Sequence, residues 1–188
     1  MFKSIDFENY IKEILNKDEV KIEDLSCIED LELDNKILTF DLFDISKISN
    51  LKKLTLKNFK INNYETNIIN RVKSLEELSF ANCNIVSKSR LINSNIKVLR
   101  FENTRIKNSK YYCKTVNVEK LEIDNVKKVD IRKLLRYRNL KELILNNTKV
   151  KYSTYIVKLM GLNYLNLKSS KYNLALDSLI TKNIDFQK

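Results

Sequence analysis

The segment LKELILNNTKV, starting at Leu140, has apolar residues at places one, four, six and eleven around an Asn-Asn-Thr corner. An amphipathic helix needs apolar residues at i, i+3, i+4 and i+7, and a half-buried strand alternates throughout. This stretch alternates only over Leu143 to Leu145 and then turns. The same pattern opens at Ile28 (IEDLELDNKIL), Leu51 (LKKLTLKNFKI), Leu75 (LEELSFANCNI) and Ile96 (IKVLRFENTRI). It recurs at Val118 (VEKLEIDNVKK) and Leu162 (LNYLNLKSSKY), and a half-repeat, TKNIDF, starts at Thr181. Successive starts are 23, 24, 21, 22, 22, 22 and 19 residues apart. Self-similarity at such a period means one supersecondary unit stacked on copies of itself.

Places four and six are two apart on a strand and share a face. Places one and eleven close the loop over the same core. One repeat cannot bury these side chains alone, whereas stacked neighbours form a continuous apolar column. At roughly 1.5–3 kcal/mol per buried Leu or Ile, that column offsets ordering entropy. The pattern LxxLxLxNTxI resembles the leucine-rich-repeat family over residues 28–186, with the spacing of its short, internalin-type class. The resemblance implies an α/β, β-rich, right-handed solenoid with a concave parallel sheet and short helical or irregular segments on the convex side.

Place nine departs from the family's common Asn: Lys36, Phe59, Cys83, Thr104, Val126, Thr148 and Ser170 stand there. Asn fills place eight instead, at Asn35, Asn58, Asn82, Asn103, Asn125 and Asn147, with Ser169 last. The chain has one glycine and no proline, so something else must turn it as it leaves each strand. Asn tolerates left-handed backbone, and these asparagines are read as structural.

Residues 1–27 precede the solenoid of 28–188. Phe7, Tyr10, Ile11, Ile14 and Leu15 have helical spacing, and Ser4 or Asp6 can cap the start. This helix is expected to cover the solenoid's open end, followed by a short capping strand around Val20 and Ile22. The chain stops soon after its last strand, leaving that end weakly capped.

Several chemistries lack their residues. There is no histidine, the commonest general base, and a single glycine rules out a Gly-rich phosphate loop. Cys27, Cys83 and Cys113 are too few and too scattered for a disulfide framework or a metal site. Cys83 falls on a core-facing place and is expected to be inert, whereas Cys113, beside Tyr111 and Tyr112, is expected on the convex side. No cofactor is expected, and the chain reads as a non-enzyme. No apolar run approaches the ~18 residues of a membrane span. The acidic, amphipathic N-terminus is not a secretory leader, which places the chain in the cytoplasm; removal of a leader would instead allow secretion into a host.

Binding surfaces come from places three, five and seven, which face outward on the concave side. Acids outnumber bases there, although the chain carries a net charge of +11. Val98, Ile144 and Tyr164 are apolar or aromatic where water is expected, and Arg100 and Asn166 share their face. Tyr and Arg are favoured at binding hot spots. Part of the positive charge falls on place ten, at Lys60, Arg105, Lys127, Lys149 and Lys171, with Asn84 between. The last four bases, on consecutive parallel strands, would form a row roughly 15 Å long. Lys107, Lys128 and Lys151 flank it, and Arg132, Lys133, Arg136 and Arg138 form another run.

Such repeats generally act as interaction scaffolds, so the leading expectation is a monomeric module that binds a protein through the concave face. The abundance of Asn, Lys and Ile matches an AT-rich genome and extends this to an effector or adaptor of an intracellular parasite. The alternative is an RNA- or ribonucleoprotein-associated factor that holds phosphates on the basic rim.

Overall fold

A computed structural model describes residues 2–36, 41–108, 117–173 and 184–187. Places three to seven of each repeat form a strand: β1 (Asp30–Asp34), β2 (Lys53–Lys57), β4 (Glu77–Ala81), β6 (Val98–Glu102), β8 (Lys120–Asp124) and β10 (Glu142–Asn146). The shorter β12 (Tyr164–Asn166) and β13 (Asp185–Gln187) complete one eight-stranded sheet, order β1-β2-β4-β6-β8-β10-β12-β13, with every pair parallel. Leu sits opposite Leu at places four and six, as in Leu31↔Leu54 and Leu33↔Leu56. These places are buried along the whole stack, from Leu31 to Leu167. Phe80 and Phe101 occupy place six in adjacent repeats and stack at 5.4 Å between ring centroids.

After each strand the chain turns through a left-handed residue. Asn58, Asn82, Asn103, Asn125, Asn147 and Ser169 all have φ between 47° and 63°. The place-eight N–H donates across to the next strand, as Asn103 does to the Asp124 carbonyl at 3.0 Å. Asn therefore takes the role glycine would otherwise fill. Asn35 differs: it makes the same backbone bond to Lys57 without a positive φ.

Place nine lies beneath this turn, and its hydroxyls satisfy the strand ends. The Thr104 hydroxyl donates to the carbonyls of Phe80 and Glu102 and accepts from the Cys83 N–H. Thr148 and Ser170 repeat the arrangement two and three turns on, with Val126 between. A small hydrogen-bonding residue suits this place because these carbonyls are buried and need a donor.

A second, shorter layer follows. β3 (Lys60–Ile61), β5 (Asn84–Ile85) and β7 (Arg105–Ile106) pair in parallel, as do β9 (Val129–Asp130) and β11 (Val150–Lys151). The convex return is α2 (Asn63–Ile69) in the second repeat and 3-10 turns at Leu42–Lys47, Ile131–Arg136 and Ser153–Lys158. Amide side chains tie one return to the next: Asn70 bonds Arg90 and Ile92, and buried Asn93 bonds Ile69 and Val72.

Ahead of the sheet, α1 (Ile5–Leu15) starts on Ser4, whose Oγ accepts from the Phe7 N–H. It buries Phe7 and Ile11, and the Tyr10 hydroxyl donates to the Glu32 carbonyl on β1. The helix thus covers the first strand, and Ile14 faces water. The expected capping strand at Val20 and Ile22 is not formed. Ile22 is exposed and precedes a 3-10 turn at Glu23–Cys27.

Two register details also depart from the repeat count. In the fifth repeat Val150 pairs with Val129, so Val129 closes the loop instead of Lys128. One extra residue keeps the lysine charge out of the core. At the C-terminal end Tyr164 pairs with Asp185 and Leu165 with Phe186, an offset of 21 residues where the Thr181 start implied 19. Thr181 itself lies outside the described residues.

Candidate functional site

The outward face of the sheet carries one row from place three and one from place five. The first runs Asp30, Lys53, Glu77, Val98, Lys120, Glu142, Tyr164, Asp185, and the second Glu32, Thr55, Ser79, Arg100, Glu122, Ile144, Asn166, Gln187. Most of the charges are matched within the sheet. Lys53 pairs with Asp30 at 2.9 Å, and Lys57 pairs with Glu32. A continuous chain crosses four strands: Arg100 bridges Glu77 (2.8 Å) and Glu122 (2.9 Å), and Lys120 bridges Glu122 (2.9 Å) and Glu142 (3.1 Å). Burial pulls the Arg100 pKa down, but Glu77 and Glu122 more than offset it and raise it above the usual value.

This arrangement divides the five expected concave-face residues. Ile144 sits directly beside Asn166, and Tyr164 lies two residues before Asn166 on β12, directly beside Glu142. Tyr164 donates its hydroxyl to Gln187 at 2.9 Å, and the Asn166 amide also reaches that oxygen. Val98 lies three strands away, about 14 Å by strand spacing. Arg100 next to it is bound on both sides, so its guanidinium is committed within the sheet. The apolar part of the face is therefore Ile144 and Tyr164, framed by the amides of Asn166 and Gln187.

The basic rim is less regular than the repeat count implied. Lys60, Asn84 and Arg105 are in register, as are Lys149 and Lys171. The extra residue in the fifth repeat puts Lys128, in place of Lys127, opposite Lys149. β7 and β9 are not paired, so the row is interrupted there, and the interruption opens a cleft.

A further charged row went unread. Place two alternates strictly in sign: Glu29, Lys52, Glu76, Lys97, Glu119, Lys141. The pairs Lys52–Glu29 (2.8 Å), Lys97–Glu76 (2.9 Å) and Lys141–Glu119 (2.7 Å) form along the edge of the sheet. Exposed pairs of this kind add little stability singly. Their alternation penalises a slip by one repeat, which would set like charges together. The sign pattern at a fixed place was the available signal.

Among the described residues no group of three metal-ligating side chains comes together, and no helix is long and apolar enough to cross a membrane. Cys113, Tyr111 and Tyr112 lie outside the described residues. Cys27 is exposed and Cys83 is buried. Burial pushes the Cys83 thiol up to about 11 from an ordinary 9. Thiolate is the reactive form, so Cys83 is expected to alkylate at least about a hundredfold more slowly than Cys27 at neutral pH. Peptide-resolved iodoacetamide labelling reads this, and equal rates would refute it. The raised pKa also means that Cys83 contributes stability below about pH 9 that is lost as pH rises through about 11.

The sequence matches no protein family and no curated protein. Solved structures do match. Internalin C2 of Listeria monocytogenes superposes with a TM-score of 0.64 at 20% identity, covering 97% of this chain and 92% of that one. A leucine-rich-repeat protein of Leptospira interrogans gives 0.64 at 19% identity, covering 87% of this chain and 49% of that one. InlP of Listeria monocytogenes gives 0.60 at 14% identity, over 93% and 60%. The chain spans only part of the last two.

Proposed function

We propose that this chain, which has the leucine-rich-repeat fold, binds a protein partner through the β10–β12 end of its concave face, with no catalytic step. The observation that carries the reading is the diagonal adjacency of Ile144 and Tyr164 on neighbouring strands, on a face where Lys53, Lys57, Arg100 and Lys120 are held by internal ion pairs. An apolar and aromatic centre with an amide rim is the composition of a binding hot spot. The surplus of acids on this face suits a partner with basic residues around an apolar centre. The internalin-like fold and the AT-rich composition support an effector or adaptor role.

The test is capture from lysates of the source cell and its host, with nuclease, read by mass spectrometry. Combined Tyr164→Ala and Ile144→Ala is expected to weaken a captured partner by about 2 kcal/mol, roughly thirtyfold in Kd. Val98→Ala should change it less than threefold. Equal losses from all three substitutions, or none, would count against this end of the sheet as the site.

A further inference from the structure

We propose a second site, in the short strand layer that follows the concave strands, that holds a linear phosphate chain in the cleft between β7 and β9. The short strand layer runs β3-β5-β7 and then restarts at β9 without pairing across the gap. The cleft left there is lined by Arg105, Lys107, Lys127, Lys128 and Lys133, over an apolar floor of Ile106, Val126 and Val129. No carboxylate is among its described lining residues. Arg105, Lys107, Lys127 and Lys128 are exposed and can reach a ligand.

Asp130, which follows the lining Val129, is already paired. Asp130 takes two hydrogen bonds from Arg132, at 3.1 and 2.8 Å, and Arg132 also lies 3.5 Å above the Tyr152 ring. Arg132 holds the Asp130 carboxyl below its usual value. Asp124, at the end of β8 in the same repeat, accepts the Asn147 amide and is not among the lining residues. On the concave face Lys53, Lys57, Arg100 and Lys120 are paired with acids, whereas no ion pair holds Arg105, Lys107, Lys127 or Lys128 among the described residues.

The charge continues past the cleft. Lys128 stands opposite Lys149, which bridges to Lys171, so the row extends along two further repeats at about 4.8 Å per strand. An extended row fits a chain of closely spaced phosphates better than a single small anion. Neighbouring charges lie within the ~8 Å Debye length and reinforce one another. No aromatic ring is among the described lining residues, so recognition is of the backbone and not of stacked bases. Single-stranded nucleic acid and inorganic polyphosphate share this chemistry.

The experiment follows fluorescence anisotropy of a labelled oligouridylate, with competition by polyphosphate and by polyglutamate of matched charge. Three proteins are compared: wild type, a cleft variant (Arg105→Gln, Lys127→Gln, Lys128→Gln) and a control of equal charge loss elsewhere (Arg71→Gln, Lys73→Gln, Lys88→Gln). Circular dichroism confirms that both variants are folded. The cleft variant is expected to lose at least about tenfold in affinity, and its salt slope should fall by about 2, since each phosphate contact on a single strand contributes about 0.7. The control should lose less than about threefold. Binding of an end-labelled polyphosphate in the same assay, with no binding of the oligouridylate, would assign the site to free polyphosphate; oligouridylate binding with little displacement by polyphosphate would assign it to nucleic acid. Three outcomes overturn the proposal: equal losses in both variants, displacement by polyglutamate as strong as by polyphosphate, or no binding of either phosphate chain by wild type.

Discussion

Asp44→Ala is expected to destabilise the protein by about 3–5 kcal/mol, with the loss concentrated at the N-terminal helix. Asp44 has no exposed surface. Its carboxylate accepts from the Lys3 N–H at 3.0 and 2.9 Å, from the Ser4 N–H at 3.0 Å, and from the Lys47 ammonium at 2.7 Å. It therefore joins the first convex turn to the residues that lead into α1. Lys3 and Lys47 also lie over the Phe43 and Phe2 rings, closing the clamp. Removing the carboxylate leaves three half-buried donors without their shared acceptor and a cavity where the buried Asp44 side chain stood. The helix should then detach, exposing Phe7 and Ile11 and uncovering β1. Urea unfolding gives the total, and hydrogen exchange at residues 5–15 gives its location. Unchanged protection of α1 with an unchanged midpoint would sink the account.

Phe101→Ala is expected to cost about 3–5 kcal/mol and lower Tm by roughly 10 °C. Phe101 is 1% exposed and stacks on Phe80 in the middle of the solenoid. Solenoid stability is a sum of repeat and neighbour terms, so a cavity there weakens the contacts of two repeats together. Phe101→Leu keeps most of the volume and should cost about 1 kcal/mol. Thermal unfolding of the two variants separates the cavity from the loss of the aromatic pair. Equal effects would mean that the ring stacking, and not the volume, carries the stability.

The fold is legible in the sequence where its determinant is local and repeated. Places four and six are buried because alternation over three residues can be satisfied by one face of a strand. The left-handed Asn at place eight follows from the scarcity of glycine at a turn each repeat must make. The Ser4 cap and the Phe7–Ile11 stripe of α1 are read within one helix. Cys83 is buried because its place is. Each of these is set by neighbours within a dozen residues, repeated until chance is excluded.

What the sequence did not show came from contacts between distant residues. Nothing in the repeat pattern marks Asp44, because its partners at Lys3 and Ser4 lie 41 and 40 positions away. Arg100 looked free until two carboxylates, 23 and 22 positions off, claimed it. The extra residue before Val129 and the later start of the last strand are choices of register, settled by which side chain the core accepts. The cleft is the sum of such choices: β7 and β9 do not pair, and the lysines around the gap meet there although no repeat brings them together. Periodicity sets which face a residue takes. Which other residue waits across from it is fixed when the turns of the stack close on one another.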